Sequence, residues 1–171
     1  MDKQNITLIG MAGAGKSSIG VLLAQLLGWD FFDIDILLEK EHDKKLQEIL
    51  DQEGEKSFQE LEATKVIELA NTPATVLAPG GSIVYSPEAM DLLKSTSVIV
   101  YLSTHPNIIL QRIDTSSRGI VGLKDKSFGD LFAEREKLYK QYADISIDVG
   151  EKSPEELVKE IWAQFQGASK W

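Results

Sequence analysis

The stretch LIGMAGAGKSS, residues 8–18, ends the apolar run Ile6–Ile9 in three glycines, a lysine and two serines. Gly10, four further residues, Gly15, Lys16 and Ser17 fill every fixed position of the pattern G-x-x-x-x-G-K-[ST]. Glycines let a backbone wrap inward so that several N–H groups converge on one anion, and the amino terminus of a following helix adds partial positive charge. Lys16 is placed to reach the β- and γ-phosphates, and the Ser17 hydroxyl to ligate magnesium. The plain alternative is a glycine-rich turn with an exposed lysine. A strand signal before the motif and a helix signal after it favour the phosphate cradle, with Ala12, Gly13, Ala14, Gly15, Lys16, Ser17 and Ser18 as its nucleotide-binding residues.

Outward from the loop, β-branched or aromatic runs recur at Asn5–Ile9, Asp30–Asp33, Ala74–Ala78, Val98–Leu102 and Ile145–Asp148, each followed by a polar or glycine-bearing turn and a helix-like segment. Strands alternating with helices predict a parallel sheet covered on both faces, a three-layer α/β/α arrangement with five strands. Ile19, Leu22, Leu23 and Leu26 fall at helical spacing and stop at Gly28. Ser153-Pro154-Glu155-Glu156 reads as a capping-box start to the last helix. Two stretches break the alternation: a helical insert, Leu46–Asn71, and the segment Thr115–Lys126, whose Gly119 and Gly122 flank apolar residues between charged ones and predict a mobile flap.

The 171 residues suit one domain with a single sizeable core. Neither a membrane-spanning run nor a leader segment is recognisable, and the chain contains no cysteine, so a cytoplasmic protein without disulfides, thiolate catalysis or zinc–thiolate sites is expected. A net charge of −9 disfavours a polynucleotide partner but leaves room for a locally positive pocket. Among 18 basic residues only Arg112, Arg118 and Arg135 are arginine, and the three share one short span. The planar fork of arginine suits phosphate and carboxylate oxygens, so that span is expected to face an anion. Arg135 makes its own case: it lies on the apolar stripe of Phe128, Leu131, Phe132, Leu138, Tyr139 and Tyr142, where a charged head must meet an anion, carbonyls or water.

Read with FFDID (31–35), APGGS (78–82), SSRG (116–119) and REKLY (135–139), the phosphate loop completes a series that resembles the shikimate kinase family over nearly the whole chain. The resemblance implies a P-loop kinase fold of the nucleoside-monophosphate-kinase-like branch, with an acceptor-binding insert over about 34–71 and a lid over about 115–126. It also implies ATP and Mg2+ as cofactors and a small-molecule acceptor. Asp33 would support the magnesium shell, and Asp35 would hold the acceptor hydroxyl, though Asp35 could also serve as a helix N-cap. Arg118 would close over the phosphates, Arg135 would grip the acceptor carboxylate, and Arg112 and Pro154 would sandwich the adenine. Gly80 and Gly81 would let the backbone approach the acceptor. A cytoplasmic monomer is expected, with catalysis by Lys16, Asp35 and Arg118.

The departures fall on the acceptor side. Gln59 stands where the family carries a second carboxylate-clamping arginine, Ser82 where it carries a third glycine, Gly119 follows the lid arginine in place of proline, and Lys137 replaces another proline. The acceptor site is therefore expected to comprise Asp35, Gln59, Gly80, Gly81, Ser82 and Arg135, with its anion held less tightly than two arginines would hold it. Shikimate or a related small anionic metabolite is the expected acceptor. The rivals are a kinase for a nucleoside, nucleotide or sugar, and a nucleotide-binding regulatory protein without turnover.

Overall fold

Strands that are apolar on both sides need cover on both sides, and the fold supplies it. In the computed structural model, which describes residues 3–113 and 119–168, five parallel strands run β1 (Asn5–Ile9), β2 (Asp30–Asp33), β3 (Thr75–Ala78), β4 (Ser97–Ser103) and β5 (Ile145–Asp148). Their spatial order is β2-β3-β1-β4-β5. Because successive residues of a strand face opposite ways, Ile6, Leu8, Val98 and Val100 enter one core with α1 (Lys16–Leu27) and α7 (Pro154–Ala168). Ile9, Leu77, Ile99 and Tyr101 enter the other, which is closed by α2 (Ile34–His42), α3 (Leu46–Leu69), α4 (Pro87–Thr96), α5 (Pro106–Arg112) and α6 (Phe128–Tyr142).

The five strand readings lie within one residue of the observed bounds, and the differences have local causes. Ala74 takes a left-handed φ of 54° and so precedes β3 instead of opening it. β4 gains Ser97 and Ser103 because its pairing with β1 and β5 runs to both ends. Asp35 does not end the second strand: β2 stops at Asp33, whose side chain accepts the Ile36 N–H and caps α2, leaving Asp35 in that helix's first turn. The N-cap role considered for Asp35 thus belongs to Asp33. The insert is helical, as its pattern predicts, but Gly54, at φ 79° and ψ 165°, breaks α3 into two segments.

Helix ends follow from the sequence chemistry. At α7 the Ser153 hydroxyl accepts the Glu156 N–H while Glu156 accepts the Ser153 N–H, a reciprocal cap. Gly28 ends α1 at φ 66°, and the Trp29 N–H reaches back to the Ala24 carbonyl. No described helix is long and apolar enough to cross a membrane.

β1 lies at the centre, between β3 and β4, so the chain crosses to opposite sides of the sheet on either flank of its carboxyl end. In open α/β sheets such a switch point is where ligands bind. Buried Asn5 fixes this arrangement from the other end of the strand: its Nδ2 donates to the Ala70 carbonyl and its Oδ1 accepts the Thr75 N–H, both at 3.1 Å. Asn5→Leu leaves both backbone groups without partners and is expected to lower the unfolding free energy by about 2–4 kcal/mol in urea titrations.

Candidate active site

The turn from β1 to α1 builds the first half of the site. Gly13 and Gly15 take φ of 82° and 101°, a backbone sense that side-chain-bearing residues rarely adopt, and so the N–H groups entering α1 turn inward. Lys16 is 8% exposed, and its ammonium donates to the Gly10 and Met11 carbonyls at 2.8 and 3.0 Å. The cation thus lies folded along its own loop, within the cleft that the loop walls.

Ser17 and Asp33 arrive from neighbouring strand–helix turns and meet directly, the serine hydroxyl donating to Asp33 Oδ2. Together they present a hydroxyl and a carboxylate, the hard oxygen donors that magnesium prefers. Among the described residues no group of three or more His, Cys, Asp and Glu side chains could cage a metal. This pair therefore fits an ion whose remaining ligands are phosphate and water.

A cleft of about 560 Å³ opens beside the loop. It is lined by Gly13 to Ile19, Asp33, Asp35, Arg112 and Pro154, so most of the residues singled out for nucleotide, metal and adenine converge there, while Ala12 lines the second cavity instead. Arg112 is exposed at the end of α5 and donates to the Gly13 carbonyl at 3.5 Å. Lys152, also on the wall and held by Glu160 at 2.7 Å, is a cleft residue that no sequence motif announced.

The second cavity is much smaller, about 20 Å³. Asp35, Gly80, Gly81, Ser82 and Arg135 line it with Ala12, Phe58 and the lid residues Gly119, Ile120 and Val121. Gln59 lines neither this cavity nor the nucleotide cleft, and its helical neighbour Phe58 lines the cavity. Asp35 lines both cavities and therefore stands at their junction.

Arg135 sits on the buried face of α6, as its stripe predicts, and is 2% exposed. One Nη donates to the Val121 carbonyl at 2.8 Å, the guanidinium lies 5.3 Å from the Tyr85 ring centre, and the buried Nε has no partner among the described residues. An unmet buried donor is costly, so this side chain is built to receive a further acceptor. Tyr139, one turn on, donates to the Gly81 carbonyl at 2.7 Å and holds the wall beside it. Burial pushes the Tyr139 phenol up, so it remains a donor.

The side chain that sequence reasoning missed is Glu62. It is 1% exposed, and it accepts the Ser82 hydroxyl on Oε2 while Oε1 has no partner among the described residues. Burial, and after it the neighbouring charge of Asp35, push its carboxyl up to about 7. The signal was available: Phe58, Glu62 and Val66 recur every four residues on one apolar stripe, the same pattern that exposed Arg135.

Arg118 lies outside the described residues. The lid residues from Gly119 onward are docked on α3 on both sides of its break: the Gly119 and Gly122 N–H groups donate to Gln47 and Glu55 at 2.9 and 2.7 Å, and Lys124 pairs with Asp51 at 3.2 Å. Ile120 and Val121 are buried in the core, not spread on the surface.

Comparison with known proteins agrees with this geometry. The sequence profile described as shikimate kinase matches residues 12–166. A shikimate kinase of Caldanaerobacter subterraneus subsp. tengcongensis is 35% identical over 161 residues, 92% of this chain and 94% of that protein. A solved shikimate kinase from Acinetobacter baumannii in complex with shikimate superposes with a TM-score of 0.89 at 30% identity, covering 98% of this chain and 96% of its own. A shikimate kinase from Aquifex aeolicus does so at 0.81 and 32%, covering 96% and 98%.

Glu62 also fixes a stability prediction. In the fold it stays protonated to about pH 7, whereas its ordinary value is 4.5. Between these values the unfolded chain binds fewer protons, so the contribution of this group is complete below the lower value, declines as pH rises towards the upper one and is lost above it. Glu62→Gln is expected to shrink the loss of stability between about pH 5 and about pH 8 by on the order of 1–3 kcal/mol, read by urea unfolding of both proteins at each pH.

Proposed function

The chain belongs to the shikimate kinase family, and we propose that it transfers the γ-phosphate of ATP to a hydroxyl group of shikimate. The observation that carries this reading is the position of Asp35 between the two cavities. A carboxylate there can hold the acceptor hydroxyl and take its proton while the oxygen faces the terminal phosphate.

Phosphoryl transfer needs positioning and charge neutralisation more than covalent chemistry. The amides of residues 12–18 would hold the triphosphate, and the Lys16 ammonium would exchange its loop carbonyls for the β- and γ-phosphate oxygens. Ser17 and Asp33 would hold Mg2+ through the serine hydroxyl and through water, and the ion would neutralise phosphate charge. Arg112 and Pro154 would flank the adenine. Arg118 would meet the charge spread over the transferring group. Arg135 would offer its unpaired Nε and the inner edge of its fork to the acceptor carboxylate, with the Gly80–Gly81 backbone close to the acceptor ring.

With Gln59 uncharged, Arg135 would carry the anion without the second arginine of the family pattern. Hydrogen bonds to charged groups contribute about 1.5–3 kcal/mol against roughly 1 for neutral ones, so acceptor affinity is expected to be about tenfold or more below that of a two-arginine site. The chain is read as a single domain that works as a cytoplasmic monomer, in keeping with its lack of cysteine and its net charge of −9.

The test is ADP release with shikimate, gluconate, homoserine and nucleosides as acceptors. Turnover is expected with shikimate and to be abolished in Lys16→Ala; a nucleoside preference, or no acceptor-dependent release at all, overturns the reading. Arg135→Lys keeps the charge but loses the fork, and is expected to raise the shikimate KM by about tenfold or more with a smaller change in kcat.

A further inference from the structure

Glu62 stands behind the wall of the acceptor cavity. A Cβ added to Gly80 would lie 2.6 Å from Glu62 Oε1 and 2.8 Å from Asp35 Oδ1, so the two carboxyl oxygens converge on one face of that glycine. Ser82 holds the other Glu62 oxygen and lines the cavity itself. The groups that act on this carboxyl are Asp35 from α2, Lys16 at the start of α1, and Arg135 and Tyr139 from α6. On its own helix Lys65 is engaged by Glu41 and Glu68 at 2.8 and 2.6 Å.

Residues three apart on a helix are neighbours. An arginine at 59, as in the family pattern, would therefore lay a cation beside Glu62, whereas Gln59 lays none. Among the described residues Glu62 forms no ion pair within salt-bridge distance, and its inner oxygen is unmet. An acceptor anion on Arg135 would draw on the same guanidinium charge that favours the ionised form of Glu62.

We propose that Glu62 is a specificity-determining residue whose charge gates the acceptor site: as a neutral carboxyl it admits an anionic acceptor onto Arg135, and as a carboxylate it repels one. The inference rests on the reading of Arg135 as the acceptor's anion site. Burial and Asp35 bring the change of charge close to neutrality, up to about 7. Coupling between the two anions is reciprocal: for each unit by which the bound acceptor raises the proton affinity of Glu62, ionising Glu62 weakens the acceptor tenfold.

The experiment measures kcat and KM for shikimate and for its uncharged methyl ester from about pH 6 to about pH 8.5, in wild type, Glu62→Gln and Gln59→Arg. The shikimate KM of the wild type is expected to rise by about tenfold across this range, with little change in kcat and no matching rise for the ester. Both variants are expected to flatten the shikimate profile. Glu62→Gln keeps the shape of the side chain and can still accept from Ser82, and a thermal melt at the lowest pH checks that it is folded. A wild-type slope retained in Glu62→Gln, or an equal slope for the ester, overturns the inference and leaves the kinase reading standing. Absence of shikimate-dependent ADP release from wild type at every pH overturns both.

Discussion

A bend that only glycine adopts easily holds the site together. At Gly13 and Gly15 the backbone turns the left-handed way, and the amides at the start of α1 point into the cleft instead of along it. Lys16, folded onto the Gly10 and Met11 carbonyls, occupies the concave side of the bend and balances oxygens that would otherwise face each other there. A loop held in this shape by its own glycines and lysine leaves less backbone for phosphate binding to order. The sheet supplies the rest: β1 is central, and the Ser17–Asp33 contact ties the loop to the next strand–helix turn.

The phosphate half of the site was legible because its determinants are local. A glycine, a lysine and a serine at fixed spacing between a strand and a helix specify backbone shape and chemistry together, and strand positions followed from apolar runs covered on both faces. Arg135 was legible for another reason, a charge on an apolar stripe. The same argument applied to α3 would have found Glu62, whose helix was instead treated as an insert judged by its family positions.

The readings that needed correction depend on direction more than on identity. Asp33 and Asp35 are two residues apart, and only the onset of α2 decides which one caps the helix and which one stands at the junction of the two cavities. Gln59 stands at the family's arginine position, whereas the residue of that turn that lines the cavity is Phe58. The burial of Ile120 and Val121 is a long-range result: their neighbours are supplied by elements distant in sequence, and a glycine-bearing stretch between charged flanks carries no trace of them.

Gly54 divides the labour of α3. Gln47 and Asp51 before it and Glu55 just after it hold the lid amides and Lys124, while Phe58, Glu62 and Val66 farther along enter the core. A continuous helix would transmit any displacement of its first half straight to the acceptor wall. The break acts instead as a joint that lets the first segment set its own direction, so that its surface residues can be exchanged over evolution while the wall keeps its register.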